Sequence, residues 1–341
     1  MAVLDEGPWW RRTGSPKRGF RYRTERGKPI TSARSVRRIE KMAIPPAWSD
    51  VRISPDPARH VQAWGIDAAG RRQYRYSLEA VEARDRRRWR RVLRFGRLLP
   101  QLRDVTNEHL QRPDPDRLKV LATVVRLMNR AFFRVGSERY AVQNRTFGLV
   151  TLKKRHLRID GSNLVFTYVG KQRKDQRGVV ADTPLVDIIE DILELPGSRL
   201  FRYIDAEGRV RDVTATAVNA YIREILGERH TSKDLRTFGG TVRAATILAD
   251  LGPATSPREA HRNIVMCTRL VASDLGNTPA IARSAYIHPT VLGQYEFHGR
   301  TMETHMPNGK RPVSARETEG LYPEEAALIR FLERWPITSV R

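Results

Sequence analysis

Near residue 77 the chain changes its hydrophobic period, and that change limits what it can fold into. Up to about residue 76, apolar and polar residues alternate in short runs broken by proline and glycine, the pattern of strands and turns. GFRYRTERGKPIT, starting at Gly19, predicts strand, glycine-containing turn, strand. RSVRRIEKMAI predicts a short helix ended by Pro45 and Pro46. VRISPDP and HVQAWGIDAAGRRQYRY predict further strands, with Gly70 in a turn.

Downstream the spacing becomes helical. Eight arginines fall between Arg84 and Arg97 in the stretch 78–98, which predicts a helix bridging two domains, its arginines solvated or lying against an acidic partner. Leu118, Leu121, Val125, Met128 and Phe132 recur at three and four residues, the stripe of a core-facing helix that runs into FFRVGSERY. A β-meander follows: TFGLVTL, HLRID and NLVFTYV read as strands, with Asp160-Gly161 as a hairpin turn and a second, basic hairpin tip at GKQRKD. Further helices are predicted from Thr183 to Leu195, Val213 to Leu226, Lys233 to Leu251 and Pro257 to Leu275, with a terminal one opened by Pro323 and ending before Pro336. The fold class is therefore α+β: a small β-rich domain over residues 1–84 and a larger, mainly helical domain with a β-meander over 85–341.

Charge narrows the function. Lys and Arg number 62 against 38 Asp and Glu, a net +24, the electrostatic footprint of a nucleic-acid binder. Hydrophobic residues make up 40% of 341, enough for a real core. No apolar run approaches the roughly 20 residues of a membrane span, and MAVLDEGPWWRR lacks the order of a signal peptide. The single cysteine, Cys267, rules out an internal disulfide and lies in an apolar helical stretch as an inert core thiol. A soluble cytoplasmic protein, associated with the nucleoid, is expected.

The sequence has no Gly-rich loop before Lys-Ser/Thr, no CxxC pair and no HExxH. His298 and His305 read as surface or capping residues. Chemistry at a phosphate would then need fixed cations and donors around the non-bridging oxygens, a nucleophile, and a proton donor for a poor leaving group. Four strings could supply them. FFRVG puts Arg134 at the end of the core helix, anchored by Phe132 and Phe133. YVGKQRKD puts Lys171 at a hairpin tip. KDLRTFGG sets Lys233 and Arg236 three residues apart on one helix face, with Gly239 and Gly240 allowing close approach. DLGNTPAIARSAYIHP puts Asn277 nine residues before Tyr286, on a turn near a helix end between small neighbours.

These strings, in this order, resemble the type IB DNA topoisomerases, in particular their small bacterial and poxvirus-like branch. KDLRTFG is similar to that family's KDLRTYG, GNTP stands where viral members have GHTP, and RSAY where they have KRAY. TFGLVTLKKRHLRI resembles the segment after the first catalytic arginine. GRRQYRY resembles GR(K/R)QYxY, and IPPAW, Ile44 to Trp48, resembles a bacterial signature. The resemblance runs from about Gly19 to Tyr295. It implies a β-rich DNA-binding domain and a helical catalytic domain closing on duplex DNA as a C-shaped clamp, working as a monomer.

It also implies relaxation of supercoils through a 3′-phosphotyrosyl intermediate at Tyr286. One phosphodiester is exchanged for another, without ATP, metal or other cofactor. Arg134 and Arg236 match the arginines that clamp the scissile phosphate, and Lys171 matches the general acid. Lys174 stands at the same tip, but Lys171 directly follows the strand and Gly170. Lys233 matches an assisting lysine. Asn277 occupies a histidine position; an amide can donate to a phosphate oxygen but cannot carry a proton. Tyr74, Tyr76 and Tyr140 match aromatic DNA contacts, with domain packing an equal reading, and Gln73 is a residue that could hydrogen-bond an adenine edge in the major groove. Two alternatives share parts of the pattern: a tyrosine recombinase or integrase, which usually carries histidine where Lys233 stands, and a basic architectural protein without catalysis.

Overall fold

The computed structural model describes residues 7–227, 229–302 and 320–337; His305 lies outside them. The chain divides into two compact units, Met1–Arg88 and Trp89–Arg341.

The first unit is built on an antiparallel sheet. Strand β1 is Trp10–Ser15 and β2 is Gly19–Arg23, followed by helix α1, Ala33–Lys41. Then come β3, Ser49–Ile53, β4, Val61–Ile66, and β5, Arg72–Tyr76. The order across the sheet is β2-β1-β3-β4-β5. Two small cores hold it. Ile39 of α1 packs with Val51, Ile53 and Ala63, and Trp9, Val61 and Trp64 form a second cluster that Tyr74 flanks. The hairpin predicted for GFRYRTERGKPIT is corrected here. Its first half is β2, but β2 pairs upstream with β1, Thr13 facing Arg21, while the second half contributes only a bridge at Pro29. WRRTGS carries one large apolar residue, too few for the alternation test.

The second unit is mainly helical. Helix α2, Leu78–Leu110, crosses the division between the units and extends well past the predicted stretch. It buries Trp89, Val92, Phe95, Leu99 and Leu102, a stripe at three- and four-residue spacing. Some of its arginines meet carboxylates of the same chain: Arg91 bonds Asp234 at 3.0 Å and Arg97 bonds Glu333 at 2.7 Å. Next are α3, Arg117–Ala131, whose start is capped by Asp116 accepting from the Lys119 N–H at 2.9 Å, and a short α4, Glu138–Asn144.

The meander follows as β6, Leu157–Asp160, β7, Asn163–Val169, and β8, Asp175–Ala181. They form one three-stranded antiparallel sheet. TFGLVTL, predicted as a strand, is instead a 3₁₀ turn at Leu149–Thr151. The cause is a backbone crossing: a Cβ on Gly148 would lie 2.5 Å from the Gly136 Cα, so the two glycines meet face to face.

The remaining elements are α5, Thr183–Glu194, β9, Arg202–Ile204, β10, Val210–Asp212, α6, Ala215–Leu226, α7, Ser232–Leu251, and α8, Pro257–Asp274. After them stand α9, Pro279–Ala285, α10, Pro289–His298, and α11, Pro323–Arg334. Proline opens α8, α9, α10 and α11 where its missing N–H costs nothing. One contiguous core joins α2, α3, the meander and α5 to α11. Cys267 is fully buried in it, and burial pushes its thiol up to about 12. His298, in the last turn of α10, is exposed. No helix among the described residues is long and apolar enough to cross a membrane.

Candidate active site

The site forms where α8 ends. A helix C-terminus leaves carbonyls unsatisfied and carries partial negative charge, so it attracts cations. Here two guanidiniums meet it. Arg236, one turn into α7, donates to the Leu275 carbonyl at 2.8 Å. Arg134 donates to the next carbonyl, Gly276, at 2.7 Å, and to the Asn277 side-chain oxygen at 2.6 Å.

Arg134 does not sit on the core helix as predicted. Helix α3 stops at Ala131, and Phe132 turns into the left-handed region at φ 52°. The backbone is then held from the other side: the Leu149 and Val150 N–H groups donate to the Arg134 and Val135 carbonyls at 2.8 and 2.9 Å. Phe133 packs on Phe166 of β7 with ring centres 4.9 Å apart. Phe132 lies on Gly239, where a Cβ would come within 2.2 Å of its ring. Gly240 does the same for Tyr286, whose carbonyl would be 3.1 Å from a Cβ there. The glycine pair thus admits two aromatic residues of the protein itself.

Arg236 is 4% exposed and meets no carboxylate among the described residues. Burial, and then the like charge of Arg134, bring its guanidinium down to about 10, with Tyr286 acting the other way. It stays charged at neutral pH. Among the described residues, two buried donors here have no protein partner, Nε of Arg236 and the Asn277 amide nitrogen. Because Arg134 bonds the Asn277 oxygen, that nitrogen is turned away from the guanidinium. Two cations and orphaned donors around one turn are what an oxyanion would complete.

Tyr286 closes the site from α9, which it caps. Its ring centre lies 5.4 Å from the Arg236 guanidinium carbon. Its carbonyl is 3.1 Å from the buried Thr241 hydroxyl, which also accepts from the His288 N–H at 3.2 Å. The backbone beside Tyr286 is therefore tied to α7, one turn beyond Arg236.

Lys171 follows β7 at a 3₁₀ tip in which Gln172 and Arg173 adopt φ 64° and 57°. Such values cost non-glycine residues roughly 1 kcal/mol or more each and cluster at functional sites. Lys171, Arg134 and Tyr140 border one groove of about 790 Å³, which Lys174 does not line. Lys233 is exposed, on the first turn of α7. Gln73, Tyr74 and Tyr76 belong to the other unit. Gln73 donates to the Asp67 carboxylate at 2.9 Å, Tyr74 flanks a tryptophan cluster, and Tyr76 is exposed.

Two residues near the arginines escaped the sequence reading. Tyr168 is buried on β7; burial raises its hydroxyl, and the charges of Arg134 and then Arg236 act in the opposite direction. Gln176 on β8 reaches Gly276, where a Cβ would be 2.3 Å from its amide oxygen and 3.3 Å from Arg134 Nη1. Both alternate correctly along their strands, but only the docking of the meander brings them here. Among the described residues, no group of three or more His, Cys, Asp or Glu side chains could hold a metal ion.

Residues 77–311 match the catalytic core of eukaryotic DNA topoisomerase I, more than half of the chain. The chain belongs to the type IB DNA topoisomerase family. Residues 19–67 of this topoisomerase match the N-terminal domain of bacterial DNA topoisomerase IB. It is 28% identical to DNA topoisomerase 1B of Acanthamoeba polyphaga mimivirus over 81% of its own length and 84% of that relative. It is 26% identical to DNA topoisomerase 1B of vaccinia virus, strain Copenhagen, over 67% of its length and 70% of the relative. A solved XerH site-specific recombinase bound to palindromic difH substrate covers 56% of this chain and 47% of its own at 12% identity and a TM-score of 0.38, too slight a likeness to bear on the site. The topoisomerase match decides between the two enzyme families that the sequence left open.

Proposed function

We propose that this topoisomerase relaxes supercoiled duplex DNA by cutting and resealing one strand through a covalent link to Tyr286. The supporting observation is the pair of guanidiniums at the end of α8 with unpartnered N–H groups of Arg236 and Asn277 beside them. In this reading the scissile phosphate settles among Arg134, Arg236 and Asn277. The Tyr286 hydroxyl gives up its proton to water as its oxygen bonds to phosphorus. The bond from phosphorus to the 5′-oxygen breaks, and Lys171 supplies the proton that the departing oxygen needs. Negative charge on the non-bridging oxygens rises in the transition state, where the buried arginines stabilise it most. The free strand rotates, and the 5′-hydroxyl attacks the phosphotyrosine to restore the chain.

The ester energy is kept throughout, so the scheme requires no nucleotide. Lys233 assists from the first turn of α7. Tyr140 contacts DNA from the groove it shares with Lys171, and Gln73, Tyr74 and Tyr76 do so from the β-rich unit. In this role Gln73 keeps its bond to Asp67, which fixes the amide for reading a base edge. The protein acts as a monomer at the nucleoid.

The direct test is to stop the reaction with denaturant, digest the protein, and sequence the peptide that stays on the DNA. The expected peptide contains Tyr286, and the DNA carries it on a 3′-phosphate. A DNA-linked peptide lacking Tyr286 would refute the assignment.

A further inference from the structure

The terminal helix α11 lies beyond the family match at residues 77–311, and nothing in the scheme above uses it. Its apolar face, with Ala327, Leu328, Phe331 and Leu332, is buried, which is enough to dock a helix. Yet it also brings a carboxylate into the interior. Glu325 forms a two-pronged pair with Arg103 of α2 at 2.7 and 2.9 Å, the side chains 10% and 8% exposed. Desolvating such a pair costs about as much as its attraction returns, so docking alone does not explain it.

Direction does. Arg103 also donates to the Gly320 carbonyl at 2.7 Å, and with the Asn129 amide turned so that its oxygen faces the guanidinium, that oxygen accepts from the remaining N–H groups at 3.0 and 3.3 Å. The guanidinium is saturated in a fixed fork. Glu325 also accepts from the Tyr322 N–H at 2.9 Å, and the Tyr322 hydroxyl accepts from Arg130. Asn129 and Arg130 are in the last turn of α3, immediately before the left-handed Phe132 and the strap that carries Arg134. The strap beyond that junction is held by the Leu149 and Val150 N–H groups, and Arg130 also meets Asp182 at 3.5 Å, so the Glu325 network is the tie on the α11 side. A groove of about 290 Å³ is bordered by Phe132, Gly239, Tyr322 and Glu325, so the end of α3 and the start of α11 share one opening.

We propose that Glu325 is a positioning residue of the active site: through Arg103 and Tyr322 it fixes the end of α3, and with it the placement of Arg134 on the scissile phosphate. The inference rests on Arg134 and Arg236 being the phosphate-binding pair.

The test compares two duplexes with one mapped scissile position. One carries the normal phosphodiester. In the other, one non-bridging oxygen is replaced by methyl, so that the phosphate is uncharged and arginine placement matters less. Glu325→Gln should slow adduct formation on the phosphodiester by roughly 10- to 100-fold, the scale of a small misplacement. On the neutral duplex its deficit should shrink several-fold or more, and DNA affinity should stay near wild type. Tyr322→Phe should show a smaller deficit with the same substrate dependence. Equal deficits on both duplexes would overturn the inference, because a general loss of structure does not depend on substrate charge. Arg236→Ala on the same pair separates the two claims. If its deficit fails to shrink, the phosphate-binding reading falls; if it shrinks and that of Glu325→Gln does not, only the positioning role falls. Should Glu325→Gln not fold, Arg103→Met with Glu325→Leu removes both charges and fills the space. A wild-type cleavage rate in that folded double variant would also overturn the proposal, and a slow one supports it.

Discussion

At the scale of residues, the site separates charge stabilisation from proton transfer. Arg134 and Arg236 reach the end of α8 through hydrogen bonds, whereas Lys171 stands across a groove on a hairpin tip. Their losses should therefore respond differently to the leaving group. An alkoxide leaves badly without a proton, so Lys171→Ala should slow cleavage by roughly 10²–10⁴-fold. A thiolate leaves without help, so a duplex with sulfur at the bridging 5′ position should return Lys171→Ala to nearly the wild-type rate. Arg134→Ala and Arg236→Ala should remain slow on it, because the non-bridging oxygens still gain charge. A Lys171→Ala variant equally impaired on the sulfur duplex would move the acid role to Lys174 or Lys233. Asn277 belongs with the arginines: its oxygen is taken by Arg134, which leaves only a donor for substrate.

At the scale of elements, the arginines are set by contacts between segments far apart in the chain. Gly239 shows this most simply, since its missing Cβ is the space that the Phe132 ring occupies. Gly239→Ala should cost roughly 1–3 kcal/mol by overpacking and slow cleavage more than DNA binding, because Phe132 adjoins the Arg134 strap. Phe132→Leu in the same chain should recover part of the stability lost; a Gly239→Ala variant with a wild-type melting temperature and cleavage rate would count against this packing. The sequence shows Gly239 beside the KDLR string but not what fills its open face. The same limit runs through the whole reading. Long helical segments such as α3, α7 and α8 declare themselves; α8 buries one stripe, while α3 and α7 are buried over consecutive residues and so on most sides. β1 does not, since a strand reading WRRTGS has almost no apolar alternation, although it is paired on both sides by β2 and β3. TFGLVTL has the apolar run of a strand, but the Gly136–Gly148 crossing folds it otherwise. Tyr168, Gln176 and the Arg103–Glu325 pair join their partners only through tertiary docking, which leaves no local period to detect.

At the scale of the whole molecule, a chain with net charge +24 carries the field expected of a protein that tracks a polyanion. Binding alone, however, does not change linking number. A topological change requires a strand to be opened and closed, and the account assigns that step to one hydroxyl, on Tyr286. The decisive measurement is relaxation of positively and negatively supercoiled plasmid in EDTA without nucleotide, with wild type and Tyr286→Phe side by side. The account predicts that wild type relaxes both signs through a ladder of topoisomers. Tyr286→Phe should bind the plasmid yet leave its linking number unchanged. Relaxation by Tyr286→Phe, or none by wild type until a divalent metal is added, would contradict it.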